Sequence, residues 1–515
     1  MNYAELFRIT LPETILEVAA LLVLVVDLGL LRKAQLQTRL AVAALLGVLG
    51  CVAAQGALLL APVTGLAYPG SSEVVLAAMG STAVAQTCIL ALTVLTLFLL
   101  INSDFTRNVG EFVAVVLMSA TGALLIAAAQ DLLIIFVGLE LLSLGLYILT
   151  AFAKSSGASA EAGIKYYLFG GMSAAFLLFG FSYLYGVTGS TNLHTIMLSF
   201  YSANAALASP LLYMALVMIA AGLGFKVAAV PFHLWAPDAY EGAPAPAAAF
   251  IASASKVASF ALLISIGTAA LHAFDGAQAS TVMSFHMSCC PQKFVPGFMP
   301  GWSKLLIVLA GVSMVVGNLA ALAQTSVRRL LAYSAIAHAG YMLLGLAFYS
   351  YTPRSEQAIL YYIFTYGLTT VGAFGVISVV EKATGSDRLD SFLGLSKRSP
   401  LLAAVLLVLF LSLAGIPPLV GFWAKFNLFA AVLSVSTSKM ALGLVALAVA
   451  MSAVSLYYYL QVLKRAYVLP AVDDRPIAVH PTTLLVLVLI AAGVVALGCF
   501  PAVLQNWISN FYAGM

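Results

Sequence analysis

Residues 222–260 read GLGFKVAAVPFHLWAPDAYEGAPAPAAAFIASASKVASF, an apolar stretch interrupted by two lysines and a run of prolines. Lys226 stands five residues before Pro231, inside a run apolar enough to cross a bilayer. Proline has no N–H and clashes with the carbonyl four residues back, here that of Val227, so the helix carrying Lys226 is expected to break. Lys256 lies in IASASKVASF, about ten residues into the next apolar run, or roughly 15 Å deep at 1.5 Å per residue. That is too deep for its ammonium to reach the surface comfortably. Its neighbours Ala252, Ser253, Ser255 and Ser259 are small and leave room for water or a close helix. A lysine at the bilayer centre costs about 2.5–3.5 kcal/mol on insertion scales.

The rest of the 515 residues explains why such a cost arises at all. The chain is 63% hydrophobic and 8% charged, against about 25% charged in an ordinary soluble domain. Soluble globular, nucleic-acid-binding and disordered classes are excluded by that balance, and the net charge of +4 points to no polyanionic partner. Long unbroken apolar runs fit membrane helices rather than the short alternating segments of a membrane barrel. Spans are expected near 12–31, 40–61, 76–101, 112–129, 131–153, 162–186, 210–230, 245–272, 302–323, 328–349, 357–381, 400–433, 440–464 and 480–505. The fold class is therefore an all-α polytopic membrane protein of about 14 transmembrane helices. The first span reads as a retained anchor rather than a cleaved signal.

Basic residues set the orientation. With the N-terminus outside, fourteen Lys and Arg fall in inside loops and five outside, leaving Lys165, Lys226, Lys256 and Lys425 in the membrane. An even number of spans then puts both termini on the outer, periplasmic face of a bacterial inner membrane. Lys165 follows Glu161 by four residues, so a local ion pair accounts for it as well as a relay does. Glu140, in FVGLELLSLGLYIL (136–149), is nine residues past Asp131 and near mid-membrane. Lys425 ends LSLAGIPPLVGFWAKF (411–426), where Pro417 and Pro418 break a run too long for one straight crossing. His233 follows Pro231 closely, and His338 sits mid-helix in RRLLAYSAIAHAGYMLLG (328–345). Intramembrane ionisable residues mark ion or proton paths by default; the alternative is a buried ion pair that only fixes packing.

Paired broken segments in two halves of a chain point to a transport site built on an internal repeat. The expected organisation is 1–111 (three helices), 112–272 (first five-helix repeat), 273–301 (outside loop), 302–465 (second repeat) and 466–515 (last helix). Gln130 and Gln324 open the second helix of each repeat, and five helices per repeat require the two to be inverted. None of the five cysteines forms a Cys-x-x-Cys pair, and no phosphate-binding or dinucleotide-binding loop is present. No cofactor and no metal site is expected in this chain. His286, Cys289 and Cys290 form the one metal-like grouping, and a loop with two free thiols accounts for it.

The stretch 222–260, with 136–149, 328–345 and 411–426, resembles the antiporter-like membrane subunits of respiratory complex I, the bacterial NADH–quinone oxidoreductase. Within that family the pattern is nearest to subunit N. Lysine rather than glutamate at 425 argues against subunit M, and the lack of a long lateral helix past 505 argues against subunit L. The resemblance implies that Glu140 pairs with Lys226 of broken helix seven, that Lys256 is the central lysine of helix eight, and that Lys425 is the terminal lysine of broken helix twelve. It implies secondary relay roles for Lys165, His233 and His338. It also implies that the partners are neighbouring antiporter-like and small membrane subunits, and that protons move through this Glu/Lys/His relay while redox chemistry happens elsewhere. A multi-subunit sodium/proton antiporter subunit and an inert membrane spacer are the competing readings. Unit charges about 4 Å apart at an effective dielectric of 20 interact by about 4 kcal/mol, so one ion pair opening or closing changes a lysine's proton occupancy by roughly a thousandfold.

Overall fold

The computed structural model describes residues 7–60, 66–67, 74–77, 80–101, 103–202, 210–281, 301–349, 353–471 and 475–513. His286, Cys289 and Cys290, with most of the expected 273–301 loop, lie outside the described residues. Helices cross in the order α1 Leu11–Val25 (extended by a π turn, Val26–Leu30), α2 Leu36–Leu60, α3 Ser81–Leu100, α4 Val109–Ala128, α5 Leu132–Thr150 and α6 Gly157–Thr188. Next come α7 Pro210–Val227 with a second limb Trp235–Gly242, and α8, formed by Ala245–Ala252 and Ala254–Thr281. The series closes with α9 Trp302–Leu322, α10 Val327–Ala347, α11 Pro353–Thr384, α12 in two limbs (Pro400–Ala414 and Val420–Val435), α13 Lys439–Tyr467 and α14 Pro481–Cys499. Among the described residues, twelve helices are long and apolar enough to span by themselves, and α1 and the two-limbed α12 bring the crossings to the expected 14.

Helices α8 and α10 are enclosed on nearly all sides, and α11 packs against α3, α8, α10, α12 and α14. Lys256 and His338 thus sit on elements with little lipid contact. Small residues make this packing close. A Cβ on Gly122 would come within 2.6 Å of the Leu142 backbone N, and one on Gly317 within 2.6 Å of the Ala337 backbone N. These two crossings, α4 on α5 and α9 on α10, are the same contact 195 positions apart.

The repeat extends further. Asp131 caps α5 and forms a bridge with Asn192; Ser326 caps α10 and forms a bridge with Arg388. The five crossings from α5 through α9 place these equivalent bridges on opposite faces, so the halves are inverted. The caps also set the register one residue away from the sequence expectation: Gln130 corresponds to Thr325, not Gln324.

Both expected breaks occur, at 228–234 and 415–419, and they are built alike. Helix α7 ends with Ala228 at φ +60° and a bond from Ala229 N to Gly224 O (2.8 Å). The first limb of α12 ends with Gly415 at φ +89° and a bond from Ile416 N to Leu411 O (3.0 Å). Each turn carries a cis proline, Val230–Pro231 and Pro417–Pro418. Some boundaries differ from expectation. Residues 74–76 form a strand paired with 66–67, so α3 starts at Ser81 rather than near 76. The last expected span, 480–505, stops at Cys499 because Phe500, which precedes Pro501, leaves the helical region. A separate helix, Pro501–Ala513, follows. A third interruption, at Ser253 in α8, was not expected. The Ser253 hydroxyl bonds back to Ala249 O (2.6 Å), three residues before Lys256.

Candidate functional site

Lys226 lies on the last turn of α7, where the break turns the chain aside. Its ammonium donates to the Ser143 hydroxyl, which in turn bonds to Leu139 O. The expected ion pair with Glu140 is not closed: among the described residues no carboxylate lies within 4 Å of Lys226, although Glu140 acts on it through space. The reason is local. Glu140 and Ser143 are one helical turn apart on the same face of α5, and the shorter, neutral Ser143 occupies the position nearer the ammonium.

Lys256 is 1% exposed and donates to Ala335 O of α10 (2.8 Å). Its ammonium lies 5.7 Å from the ring centre of Tyr366. Lys425 is 6% exposed and donates to Ala414 O (2.9 Å) and Ser452 Oγ (2.8 Å), with the Tyr341 ring 5.5 Å away. Ala414 is the last residue of the first limb of α12, so the break itself supplies the lysine's acceptor. Gly415 makes room for it: a Cβ there would come within 3.0 Å of Lys425 Cδ.

His338 stands between these two lysines, and both act on it electrostatically. Its Nδ1 shares a hydrogen bond with the Tyr362 hydroxyl (2.8 Å), and its Nε2 is buried without a partner among the described residues. The ring packs against Tyr366 (4.8 Å), Tyr341 (5.7 Å) and Tyr362 (5.8 Å). Lys256, His338 and Lys425 therefore share one aromatic-lined, polar interior. Tyr341 continues it to Asn318 and Tyr458, with 3.1 Å at each step.

Two expected members stand apart. His233 lies in the turn between the limbs of α7, half-buried, with its Nδ1 unpartnered. Among the described residues no hydrogen bond joins it to Lys226 or Lys256. Lys165 is 42% exposed and makes the local pair with Glu161 (2.6 Å) that its spacing allowed. It also pairs with Asp238 Oδ2 (2.9 Å), while Arg329 takes Asp238 Oδ1 (2.7 Å) and Glu241 (2.9 Å). Arg328 holds Ala243 O (2.7 Å) and Glu381 beside them. Burial works against the charge on Asp238, but its bonds from Lys165 and Arg329 outweigh this and hold the carboxyl below the usual carboxylate range. One carboxylate on the second limb of α7 thus ties α6 of the first half to α10 of the second.

Ser143, Ser452, Tyr341, Tyr362, Tyr366 and Asp238 were missed from sequence. Tyrosine and serine at helical spacing look like ordinary core. Only Asp238, an acid within an apolar stretch, carried a signal.

Comparison with known proteins agrees with this arrangement. The family described as NADH:quinone oxidoreductase/Mrp antiporter, TM, matches residues 129–290 and 281–452. The chain is 49% identical over 521 residues to NADH-quinone oxidoreductase subunit N 2 of Acidobacterium capsulatum, with 99% of each covered. It is 40% identical over 446 residues to NADH-quinone oxidoreductase subunit N 1 of Roseiflexus castenholzii, covering 83% of this chain and 78% of that one. Among solved structures it is similar to a chain of respiratory complex I from Thermus thermophilus with bound aureothin. There the TM-score is 0.74, the identity 33%, and the coverage 96% of this chain and 98% of the other.

Proposed function

Since the chain belongs to the NADH:quinone oxidoreductase/Mrp antiporter membrane family, we propose that its buried lysines carry protons across the membrane. It is the N-type membrane subunit of a bacterial NADH–quinone oxidoreductase, an H+-translocating complex. It works beside the other membrane subunits, and electron transfer takes place elsewhere in the complex. It is a multi-pass membrane protein, and the excess of basic residues in one set of loops puts both termini on the outer face. The functional halves are 112–272 and 302–465.

One observation carries the reading. Lys226, Lys256 and Lys425 sit inside apolar helices, and among the described residues none has a carboxylate within 4 Å. A lysine kept only for packing would be paired, because an uncompensated buried ammonium is strongly disfavoured. Here each ammonium rests on neutral oxygens that serve an amine and an ammonium alike: Ser143 Oγ, Ala335 O, and Ala414 O with Ser452 Oγ.

Glu140 supplies the switch. A carboxylate brought up to a buried lysine favours its charged form, and one withdrawn disfavours it. In the open arrangement the proton of Lys226 is poised to leave. Lys256 accepts it, and His338, between Lys256 and Lys425, passes it on. The breaks free backbone carbonyls, and Ala414 O, at the end of the first limb of α12, serves as such an acceptor for Lys425.

Lys256→Ala is the test. In membranes energised with NADH, the variant subunit should assemble and electron transfer should continue, with fewer protons moved per electron pair. An undiminished proton yield with the subunit present overturns the reading. Proton movement that stops without sodium would instead assign the chain to sodium/proton exchange.

A further inference from the structure

Four tyrosine hydroxyls lie between the two lysine sites, and two of them are unexplained by packing. The Tyr240 side chain is fully buried, and among the described residues its hydroxyl has no hydrogen-bond partner; the Tyr147 hydroxyl is likewise buried and unpartnered among them. A buried polar group left unpaired costs about 1–3 kcal/mol, and phenylalanine would fill either place without it.

The surroundings favour the hydroxyls. Tyr147 lies on the face of α5 that carries Glu140 and Ser143, at i+7 and i+4 from them. Gly170 of α6 clears the space for its oxygen, since a Cβ there would come within 1.8 Å of it. Tyr166 of α6 meets the Tyr147 ring edge-on at 4.7 Å. Trp235 then stacks on Tyr166 at 4.2 Å, lies 6.4 Å from the Tyr240 ring, and turns its own Nε1 away to Phe225 O (2.9 Å). Tyr240, on the second limb of α7, meets the Phe374 ring of α11 edge-on at 5.8 Å, about two helical turns from Tyr366 on the same helix, and interacts electrostatically with both Tyr166 and Tyr366. Tyr366 lies 4.8 Å from the His338 ring and 5.7 Å from Lys256 Nζ. The row runs α5, α6, α7, α11, and joins the Lys226–Ser143 contact to the Lys256–His338 cluster, the gap that His233 does not bridge.

We propose that Tyr147, Tyr166, Tyr240 and Tyr366, with water between them, conduct the proton from Lys226 to Lys256. This rests on the relay reading given above. A phenol both donates and accepts, so each can release its own proton forward while taking one from behind. At the end each tyrosine is unchanged, Lys226 is a neutral amine and Lys256 an ammonium, so charge and protons balance. Tyr240 is fully buried, and its loss would interrupt the row between Tyr166 and Tyr366.

Tyr240→Phe removes one oxygen and keeps the ring. In the assembled complex in sealed membranes it should lower the protons moved per electron pair as far as Lys256→Ala does, at normal subunit content. Tyr185→Phe, at an exposed site outside the row, is the control. Fluorotyrosine at 240, a more acidic phenol of nearly the same shape, should move the pH dependence of proton movement toward lower pH, which a packing role would not do. A full proton yield in Tyr240→Phe, or an unmoved pH profile with fluorotyrosine, overturns the row while leaving the relay intact if Lys256→Ala is defective. If Lys256→Ala pumps normally as well, both the relay and the row fall.

Discussion

At the scale of single residues, Lys226 and Glu140 make the account testable by small changes. The Lys226 ammonium rests on Ser143 with Glu140 nearby but unpaired. In the proposed switch the carboxylate approaches and retreats. Glu140→Asp keeps the charge and should retain part of the proton movement; Glu140→Gln should lose it, since no charge is left to switch. Proton uptake by sealed vesicles after a pulse of NADH separates the two, and equal, normal rates would refute the switch. Ser143→Ala removes the acceptor and leaves the ammonium unbonded, a loss of about 1–3 kcal/mol at a charged donor. It should slow proton movement more than Ser143→Thr, which keeps an oxygen. Lys226, Lys256, Lys425, Glu140 and His338 were legible as candidates in the sequence because an ionisable side chain in an apolar run has few innocent explanations, whereas Lys165 and His233 were named with them and stand apart. Ser143 and the tyrosines were not, because their role depends on which neighbouring helix they face.

At the scale of elements, the two breaks differ at one position that can be exchanged. Gly415 has φ +89°, and Ala228, its counterpart, has φ +60°. A left-handed non-glycine residue is disfavoured by about 1–2 kcal/mol. Ala228→Gly should thus leave thermal stability unchanged or slightly raised, whereas Gly415→Ala should lower it by about that amount and displace Lys425, whose Cδ would lie 3.0 Å from the new Cβ. Thermal unfolding of the purified complex measures the first effect and proton yield the second. The second limb of α7 carries another consequence. Its Asp238 carboxyl is held below the ordinary carboxylate range by Lys165 and Arg329. The stability it contributes is therefore present above the unfolded carboxyl pKa and lost as pH falls through the lower folded value. Asp238→Asn should abolish that acid-limb dependence and loosen the limb at neutral pH, seen as a change in the emission of Trp235, three residues away. The prolines announced both breaks, but nothing in SASASK announced the interruption at Ser253, which arises from a side chain competing for backbone bonds.

Over the whole molecule, the fold is two inverted halves whose equivalent contacts lie 195 positions apart at α4–α5 and α9–α10. Length and apolarity were enough to count the crossings. The repeat was only faint in sequence, because packing preserves glycine contacts and caps rather than identity, and the caps at Asp131 and Ser326 corrected its register. The lysines did not follow the repeat. Lys226 precedes its break and Lys425 follows its own, so the site is built asymmetrically on a symmetric frame. Orientation can be checked in a cysteine-free background. An impermeant thiol reagent added from outside should label Thr437→Cys and miss Ser386→Cys, and the reverse pattern would invert the topology. The most direct measurement is the number of protons moved per electron pair by NADH-energised membranes carrying Lys226→Ala, with subunit content verified. A clear drop, with electron transfer continuing and no rescue by Lys226→Arg because arginine does not release its proton in proteins, is the predicted result; an unchanged ratio would contradict proton passage through this chain.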